Sequence, residues 1–531
     1  MKILFALLLT VVCLPFYSVA QQAGGLDSTF NGDGVVSIKI NNLNSAFFRV
    51  RLQPDNKSVA FGYLKQSQVD YKAIVVRFAE DGSLDPVFGT DGVVIIDDMD
   101  AAGYDGHVLP DGKILITALD FDDHAIKLIR LLPGGAPDPN FGVNGVAAVD
   151  LGLYVVIIDK SILLLPDGKI MVLGTHYDFG APVVEKNFVA KINPDGTLDS
   201  NYGTGGVVII AQQPNTQDID IRGGGLQPDG KLVLVGGIGN TVPELQWYLT
   251  RLNKDGTIDS TFGVDGAVIK NLGSEYAEGA FDVLVLSDGK IVAGGYAQKP
   301  PGFHFTILRL HPDGTADNSF GLGGKAQLSM DCCYSSIFGL VQQPDGKLLA
   351  CGYGTDNLDY LKFAVARFKQ NGIVDQTFGD GGKVIVPLEP SSVSHRAVTM
   401  ALQPDGKILA AGYGDISDGI FTGVLVRLNP ETIVSTNLPE AGTIAHLEAF
   451  PNPVTDHSFQ LTYQLLETTP LTLSLYDFTG QKIATLIDNE WRPAGENKES
   501  LQLPRTVFAG QYLLRLETAS GSKTLKITTF E

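Results

Sequence analysis

Seven basic and seven acidic residues recur along the chain in a fixed relation. Arg77, Arg130, Lys191, Arg251, Arg309, Arg367 and Arg427 each sit late in an apolar run, while Asp27, Asp85, Asp138, Asp199, Asp259, Asp317 and Asp375 each stand in a segment of the form LDxxFG. Such pairs could form a ring of charged binding sites, or they could brace one structural unit against the next. A feature present in every unit favours the brace, because an asymmetric ligand is read by whatever breaks a repeat. Each Asp is therefore expected to accept hydrogen bonds from a turn or to pair with the cation of its own or the adjacent unit. The ring that follows it, at Phe30, Phe88, Phe141, Tyr202, Phe262, Phe320 and Phe378, is expected to wedge between sheets.

Other residue types give weaker chemistry. The histidines at 107, 124, 176, 304, 311, 395, 446 and 457 lack HxH or HExxH spacing, and no GxSxG elbow is present. Glycine-rich runs such as Arg222-Gly223-Gly224-Gly225 lie between strands and open no helix that could hold a phosphate. A carboxylate pair for glycoside chemistry would need a separation of about 5 to 9 Å that only the fold fixes. No metal or cofactor is expected. Calcium is the one candidate, at Asp97-Asp98-Met99-Asp100 or Asp120-Phe121-Asp122-Asp123, against the reading of a solvated acidic surface. Cys332, Cys333 and Cys351 are expected to be small buried thiols, with one cross-strand disulfide to Cys351 as the alternative. Candidates for a binding face are the repeat-breaking insertion 211–218, the loop 298–304, Trp247, and the tyrosines at 63, 296, 353 and 413 that follow glycines.

The elements that must carry these residues are set by a second motif. Pro-Asp-Gly-Lys turns, or close variants, have their Asp at 55, 111, 167, 229, 288, 345 and 405, in counterphase with LDxxFG. Asp-Gly tolerates the left-handed backbone of a tight hairpin, and alternating or apolar flanks on both sides read as strands. Taken from Asp317, one unit reads as strands over 325–328, 336–342, 347–353 and 362–368. No segment has helical periodicity, so the fold is expected to be all-β. Leu26-Asp27-Ser28-Thr29-Phe30 opens the array with the second half of a junction whose first half, Leu428-Asn429-Pro430, ends it. Ends that complete one another predict a closed seven-bladed β-propeller of four-stranded blades over 24–436, rather than an open solenoid.

With 39 Lys and Arg against 59 Asp and Glu, the net charge is -20, which excludes nucleic acid or an anionic membrane as a main partner. Residues 1–20 combine Lys2, an apolar run from Ile3 and a small-residue end at Ser18-Val19-Ala20, the pattern of a signal peptide. No later stretch approaches the ~20 apolar residues that span a bilayer.

Past Thr436 the repeats stop, 437–446 reads as a linker, and 447–531 alternates like a small Ig-like β-sandwich. Four stretches of this segment carry a family pattern: Phe450-Pro451-Asn452-Pro453, Leu475-Tyr476-Asp477-Phe478-Thr479-Gly480, Ala509-Gly510-Gln511-Tyr512 and Lys523-Thr524-Leu525-Lys526. Together they resemble the type A sorting domain of the type IX secretion system. The resemblance implies that Pro451, Asn452, Pro453, Tyr476, Asp477, Gly480, Gly510, Tyr512 and Lys526 form the sorting signal. It also implies outer-membrane translocation in a Bacteroidetes-like bacterium after Sec-type export to the periplasm, the type IX machinery as partner, and a secreted or cell-surface product. The array over 26–430 similarly resembles the delta-60 repeat family, which implies a propeller without an assigned activity.

The function expected from these readings is a monomeric, non-catalytic binding or adhesion scaffold with an extracellular glycan or protein ligand. The alternatives are a polysaccharide-active hydrolase or lyase on the same scaffold, and a purely structural surface component.

Overall fold

The computed structural model describes residues 22–41, 43–67, 70–178, 184–210, 218–239, 245–273, 277–299, 302–330, 334–358, 360–389, 393–416, 420–431, 444–455, 457–476, 482–504, 507, 510–518 and 521–529. Its chain divides into two compact units, Gln21–Ile433 and the segment from Val434 onward.

The first unit is seven antiparallel four-stranded sheets, blades 1 to 7, whose inner strands are Asn44–Leu52, Ala101–Val108, Tyr154–Leu164, Ile219–Leu226, Gly279–Val285, Ser335–Gln342 and His395–Leu402. Blade 1 runs Asn44–Leu52, Ser58–Lys65, Tyr71–Phe78 and Val93–Ile95, and blade 6 runs Ser335–Gln342, Leu348–Thr355, Leu361–Phe368 and Lys383–Ile385. Tight turns between the first two strands explain why these sequences form hairpins: Gln53 N–H donates to Lys57 O at 2.8 Å, and the residue before the lysine takes positive φ. That residue is Gly112 in blade 2 (φ 80°) and Asn56 in blade 1 (φ 65°), the two types that accept this conformation most readily.

Seven buried hydrophobic clusters lie between successive sheets, one per blade interface. The cluster around Phe47, Phe78, Leu409 and Leu425 joins blade 7 to blade 1, so the ring is closed. The closing blade takes strands from both ends of the array. Val35–Ile38 forms the outer strand of blade 7, pairing with Ile420–Leu428 in the register Val35↔Val426 to Ile38↔Gly423.

The sequence unit and the blade are out of phase by one strand. The strand at 325–328, grouped by sequence with the three that follow it, is the outer edge of blade 5, and those three are the inner strands of blade 6. The LDxxFG junction joins the third strand of a sheet to its outer strand, as between Leu361–Phe368 and Lys383–Ile385, the short Asp-Gly turn joins the first two strands, and the chain passes to the next sheet after the outer strand.

The second unit is a two-layer sandwich with a core that includes Phe459, Leu461, Tyr463, Leu473, Leu475, Leu514 and Leu516. Its first strand, Ile444–Thr455, begins inside the segment read as linker and serves both layers. Ile444 to Phe450 pair with Ser458–Leu465, the register breaks, and Val454 then pairs with Thr529 in parallel. Pro451-Asn452-Pro453 falls in that break. Proline has no N–H for a ladder, so the motif suits the point where a strand leaves one sheet for the other.

Candidate functional site: the aromatic mouth of the propeller channel

The recurring charge pairs are fully engaged in holding the ring. Asp85, Asp259 and Asp27 lie 2.7 Å from the Nε of Arg77, Arg251 and Arg427, and Asp138, Asp317 and Asp375 lie 2.8 to 2.9 Å from that of Arg130, Arg309 and Arg367. Asp199 meets Lys191 at 3.7 Å. The turn lysines add a second cation, for example Lys231 at 2.7 Å from Asp259 and Lys407 at 3.0 Å from Asp27.

Each guanidinium also lies over the ring of LDxxFG, as Arg77 does over Phe88 at 4.4 Å, and reaches a carbonyl of the adjoining repeat. Arg309 donates to Gln370 O at 2.6 Å, Arg251 to Pro312 O and Arg367 to Pro430 O. One side chain thus ties a turn, an aromatic wedge and the next blade. Burial pushes the Asp27 carboxyl up, but hydrogen bonds from Thr29 and Lys407 and the charge of Arg427 outweigh it and lower its pKa to about 2.

Asymmetry enters on the inner strands, which line the central channel. In six blades the inner strand carries a β-bulge at the same place: between Phe47 and Arg49, Gly103 and Asp105, Ile221 and Gly223, Ala280 and Asp282, Ile337 and Gly339, and Ala397 and Thr399. A bulge re-aims the extra residue and is common beside functional sites. The residues it re-aims are Phe48, Tyr104, Arg222, Phe281, Phe338 and Val398, all half-buried. By count the blade 3 counterpart is Lys160, whose side chain lies outside the described residues.

Five of these six meet their neighbours in two arcs. Phe48 contacts Tyr104 of blade 2 at 5.3 Å and Tyr413 of blade 7 at 6.0 Å. Phe281 packs edge-on against Phe338 of blade 6 at 4.7 Å and lies under the Arg222 guanidinium of blade 4 at 4.4 Å. The tyrosines of the second strands complete the pavement: Tyr63 against Phe48, Tyr296 against Phe281, and Tyr353 against Phe338, each between 5.6 and 5.9 Å, with Arg396 over Tyr413 at 5.1 Å. Burial pushes the Tyr63 hydroxyl up to about 12. Phe303, at the end of the hairpin Ile291–Lys299 and Gly302–Leu310, extends it through Tyr296 at 5.6 Å and the exposed Tyr334 at 5.4 Å.

The next step down the same strands is a charged floor. Arg49 and Arg51 of blade 1 both reach Asp105 of blade 2 at 3.1 Å. Asp105 also accepts from Gly106 N–H and, across the blade boundary, from Ile162 N–H. Burial opposes its ionisation, but Arg49 and Arg51 keep its pKa below the ordinary value. Opposite them, Asp282 of blade 5 accepts from Leu340 N–H at 2.7 Å, and burial raises its pKa against the pull of Arg49. Gly223 and Gly339 hold the same register position, where a side chain would collide with Phe281 O or Cys351 Sγ. The arrangement is a dish with aromatic walls and a salt-bridged floor.

The remaining sequence candidates fall elsewhere. Trp247, read as a possible surface residue, is fully buried and donates from Nε1 to Tyr296 O at 3.0 Å, linking blades 4 and 5 from within. Its apolar bulk fills the interface, so burial decided its place. Cys351 is a buried free thiol facing Gly339, and Cys332 and Cys333 lie outside the described residues.

Asp120 caps its own turn through Asp122 and Asp123 N–H and pairs with Lys127, and Asp100 accepts from Tyr71 N–H. Among the described residues no group of His, Cys, Asp or Glu converges as a metal site. Residues 211–217 of the insertion and Pro300-Pro301 lie outside the described residues. In the second unit Tyr476 and Tyr512 are half-buried at the ends of adjacent strands, Gly510 starts the strand Gly510–Thr518 opposite Thr529, and Lys526 pairs with Leu513. Asp477 and Gly480 lie outside the described residues.

Comparison with known proteins is consistent with both units. No curated protein matches the sequence. Among solved structures, a protein of unknown function from Dyadobacter fermentans is 14% identical, with 75% of this chain and all of that one covered, at a TM-score of 0.37. The polysaccharide lyase Uly1 is 10% identical over 72% of this chain and 90% of that one, at a TM-score of 0.42. A fungal alcohol oxidase of the AA5 family in complex with copper is 12% identical over 93% and 98%, at 0.40.

The family described as "Domain of unknown function (DUF5122) beta-propeller" matches residues 109–141, 165–202, 227–262, 286–320, 343–378 and 403–431. The family described as "Secretion system C-terminal sorting domain" matches 448–529. The chain therefore carries the repeats of the DUF5122 β-propeller family and, behind them, a secretion-system sorting domain that marks it for export and for release or display at the cell surface.

Proposed function

We propose that the exported propeller is a non-catalytic binding scaffold that lays an extracellular glycan across the aromatic mouth of its channel. The observation that carries this reading is the ring of re-aimed bulge residues, Phe48, Tyr104, Arg222, Phe281 and Phe338, set on a rigid scaffold and backed by tyrosines. Aromatic faces with a few polar handles suit the apolar face of a pyranose and the hydroxyls at its rim. The salt-bridged floor favours a ligand lying across the face over one threading the ring. Arg49, Arg51 and Asp105 are bound to one another, and Asp282 is held by Leu340 N–H, so these groups hold the floor together beneath the ligand.

The test is a glycan and surface-protein array probed with the full mature chain, with and without calcium, and the same wells assayed for cleavage products. Saturable glycan binding without products supports the proposal. Products would replace it with a polysaccharide-active enzyme, and no binding under either condition would leave a structural surface component.

A further inference from the structure

A second site is written where the repeat fails on the opposite face. The strands of blade 5 run from the aromatic mouth at Phe303 to Arg309, about 20 Å at the usual rise per residue. At that far end, between blades 5 and 6, lies a cleft of about 610 Å³, within the range of ligand sites.

Its walls hold the positions at which this pair of blades departs from the others. Ser287 stands where the other six turns have proline. Gln342 stands where the other six inner strands end in leucine or valine. Lys369-Gln370-Asn371 replaces the Asn-Pro-Asp of 193–195, and corresponds to Asn253-Lys254-Asp255 and Asn429-Pro430-Glu431 in two other blades. All five line the one cleft. Ser287 and Gln342 put neutral polar groups where the other blades have a rigid and an apolar one, Lys369 puts a cation where three other blades have Asn, and Asn371 puts a neutral amide where five others have a carboxylate.

The charges of the cleft are nearly balanced among themselves. Arg309 is spent on Asp317, Ser319 and Gln370 O, and Lys290 is 3.1 Å from Asp288. Among the described residues, the side chains of Lys369, Gln342, Gln370 and Ser287 have no hydrogen bond or ion pair. One ammonium without an ion-pair partner thus shares the lining with amide and hydroxyl groups, and the lining holds no aromatic ring. We propose that this cleft binds an anionic sugar unit, its acid group on Lys369 and its hydroxyls on Gln342, Gln370 and Ser287. A local positive site on a chain of net charge -20 would also concentrate a negative ligand where the rest of the surface repels it. The proposal is independent of the aromatic mouth.

The test uses variants that restore the repeat and that the other blades already tolerate. Full mature chain is titrated calorimetrically with glucuronate, glucose 6-sulfate and glucose, beside the variant carrying Ser287→Pro, Gln342→Leu and Lys369→Asn. The expected result is saturable binding of at least one anionic sugar, at least tenfold weaker binding of glucose, and at least tenfold loss in the triple variant at unchanged melting temperature. The two anions separate a carboxylate from a sulfate ester as the group held. Equal binding of glucose and both anions would overturn the anionic class, and undiminished binding by the triple variant would overturn the location. Absence of binding by all three sugars would overturn the site.

Discussion

Arg427 Nε lies 2.7 Å from Asp27 Oδ2, joining two residues 400 positions apart by the same contact that Arg77 makes with Asp85 within one repeat. The ring is closed by its own repeat chemistry, with the donor at one end of the array and the acceptor at the other. Around it Gly24 N–H donates to Asn429 O and Asn429 N–H to Gly25 O, which zip the termini into blade 7.

Breaking the brace should therefore cost stability in proportion to its connections. Asp259 is bound by Arg251, Lys231 and Thr261, and Arg251 also reaches Pro312 of the next repeat. Asp259→Ala is expected to destabilise by about 1 to 3 kcal/mol, because the buried cation is left without its acceptor. Asp199→Ala should cost less, since its strand partner is Lys191 at 3.7 Å. Thermal unfolding of both variants checks the order, and an unchanged melting temperature for Asp259→Ala would sink the bracing role.

Acid should open the ring through the same carboxylates. Asp27 and Asp317 have pKa values lowered from 3.8 to about 2 in the folded chain. A carboxyl with a depressed folded pKa contributes stability that is complete above its unfolded value and is lost as pH falls through the folded one. Urea midpoints should be flat in this contribution above about pH 4 and drop from there towards pH 2. Asp27→Asn should flatten that drop, which a midpoint series at fixed ionic strength would read.

Glu278 should act with the opposite sign. It is buried, its Oε1 accepts from Leu272 N–H at 2.7 Å, and burial raises its pKa from 4.5 to about 7. A carboxyl whose folded pKa is raised binds its proton more tightly in the native state, so stability falls as pH rises from 4.5 towards 7. Glu278→Gln should raise the melting temperature at pH 8 and change it little at pH 4. Equal effects at both would show that the carboxyl's ionisation is immaterial.

Much of this architecture is legible in the sequence, because two interleaved motifs constrain every unit. Asp-Gly fixes the inner hairpins, LDxxFG fixes the turn into each outer strand, and the split junction at Leu26 and Leu428 fixes closure. The aromatic mouth was harder to see, although a signal is present. Phe48, Tyr104, Arg222, Phe281, Phe338 and Val398 each stand six residues before the first position of a turn motif, at Pro54, Pro110, Pro228, Ser287, Pro344 and Pro404. Alignment on the turn would have exposed one column that is bulky yet variable. Strict alternation assigns side chains to faces, and a bulge breaks it at that column, so pattern reading alone cannot aim them. Trp247 misled for a related reason: as a break in the repeat it suggested a binding face, while its position in a blade interface follows from apolar area alone.

The most direct test of the central claim takes the strongest glycan from the array and titrates it into the full mature chain and into Phe48→Ala and Phe281→Ala variants. Each variant removes one half-buried ring from the mouth and leaves the salt-bridged floor in place. The account predicts that each weakens binding at least tenfold, about 1.4 kcal/mol, while the cooperative thermal transition persists. Binding that survives both substitutions at wild-type strength would contradict it and move the ligand off the aromatic mouth.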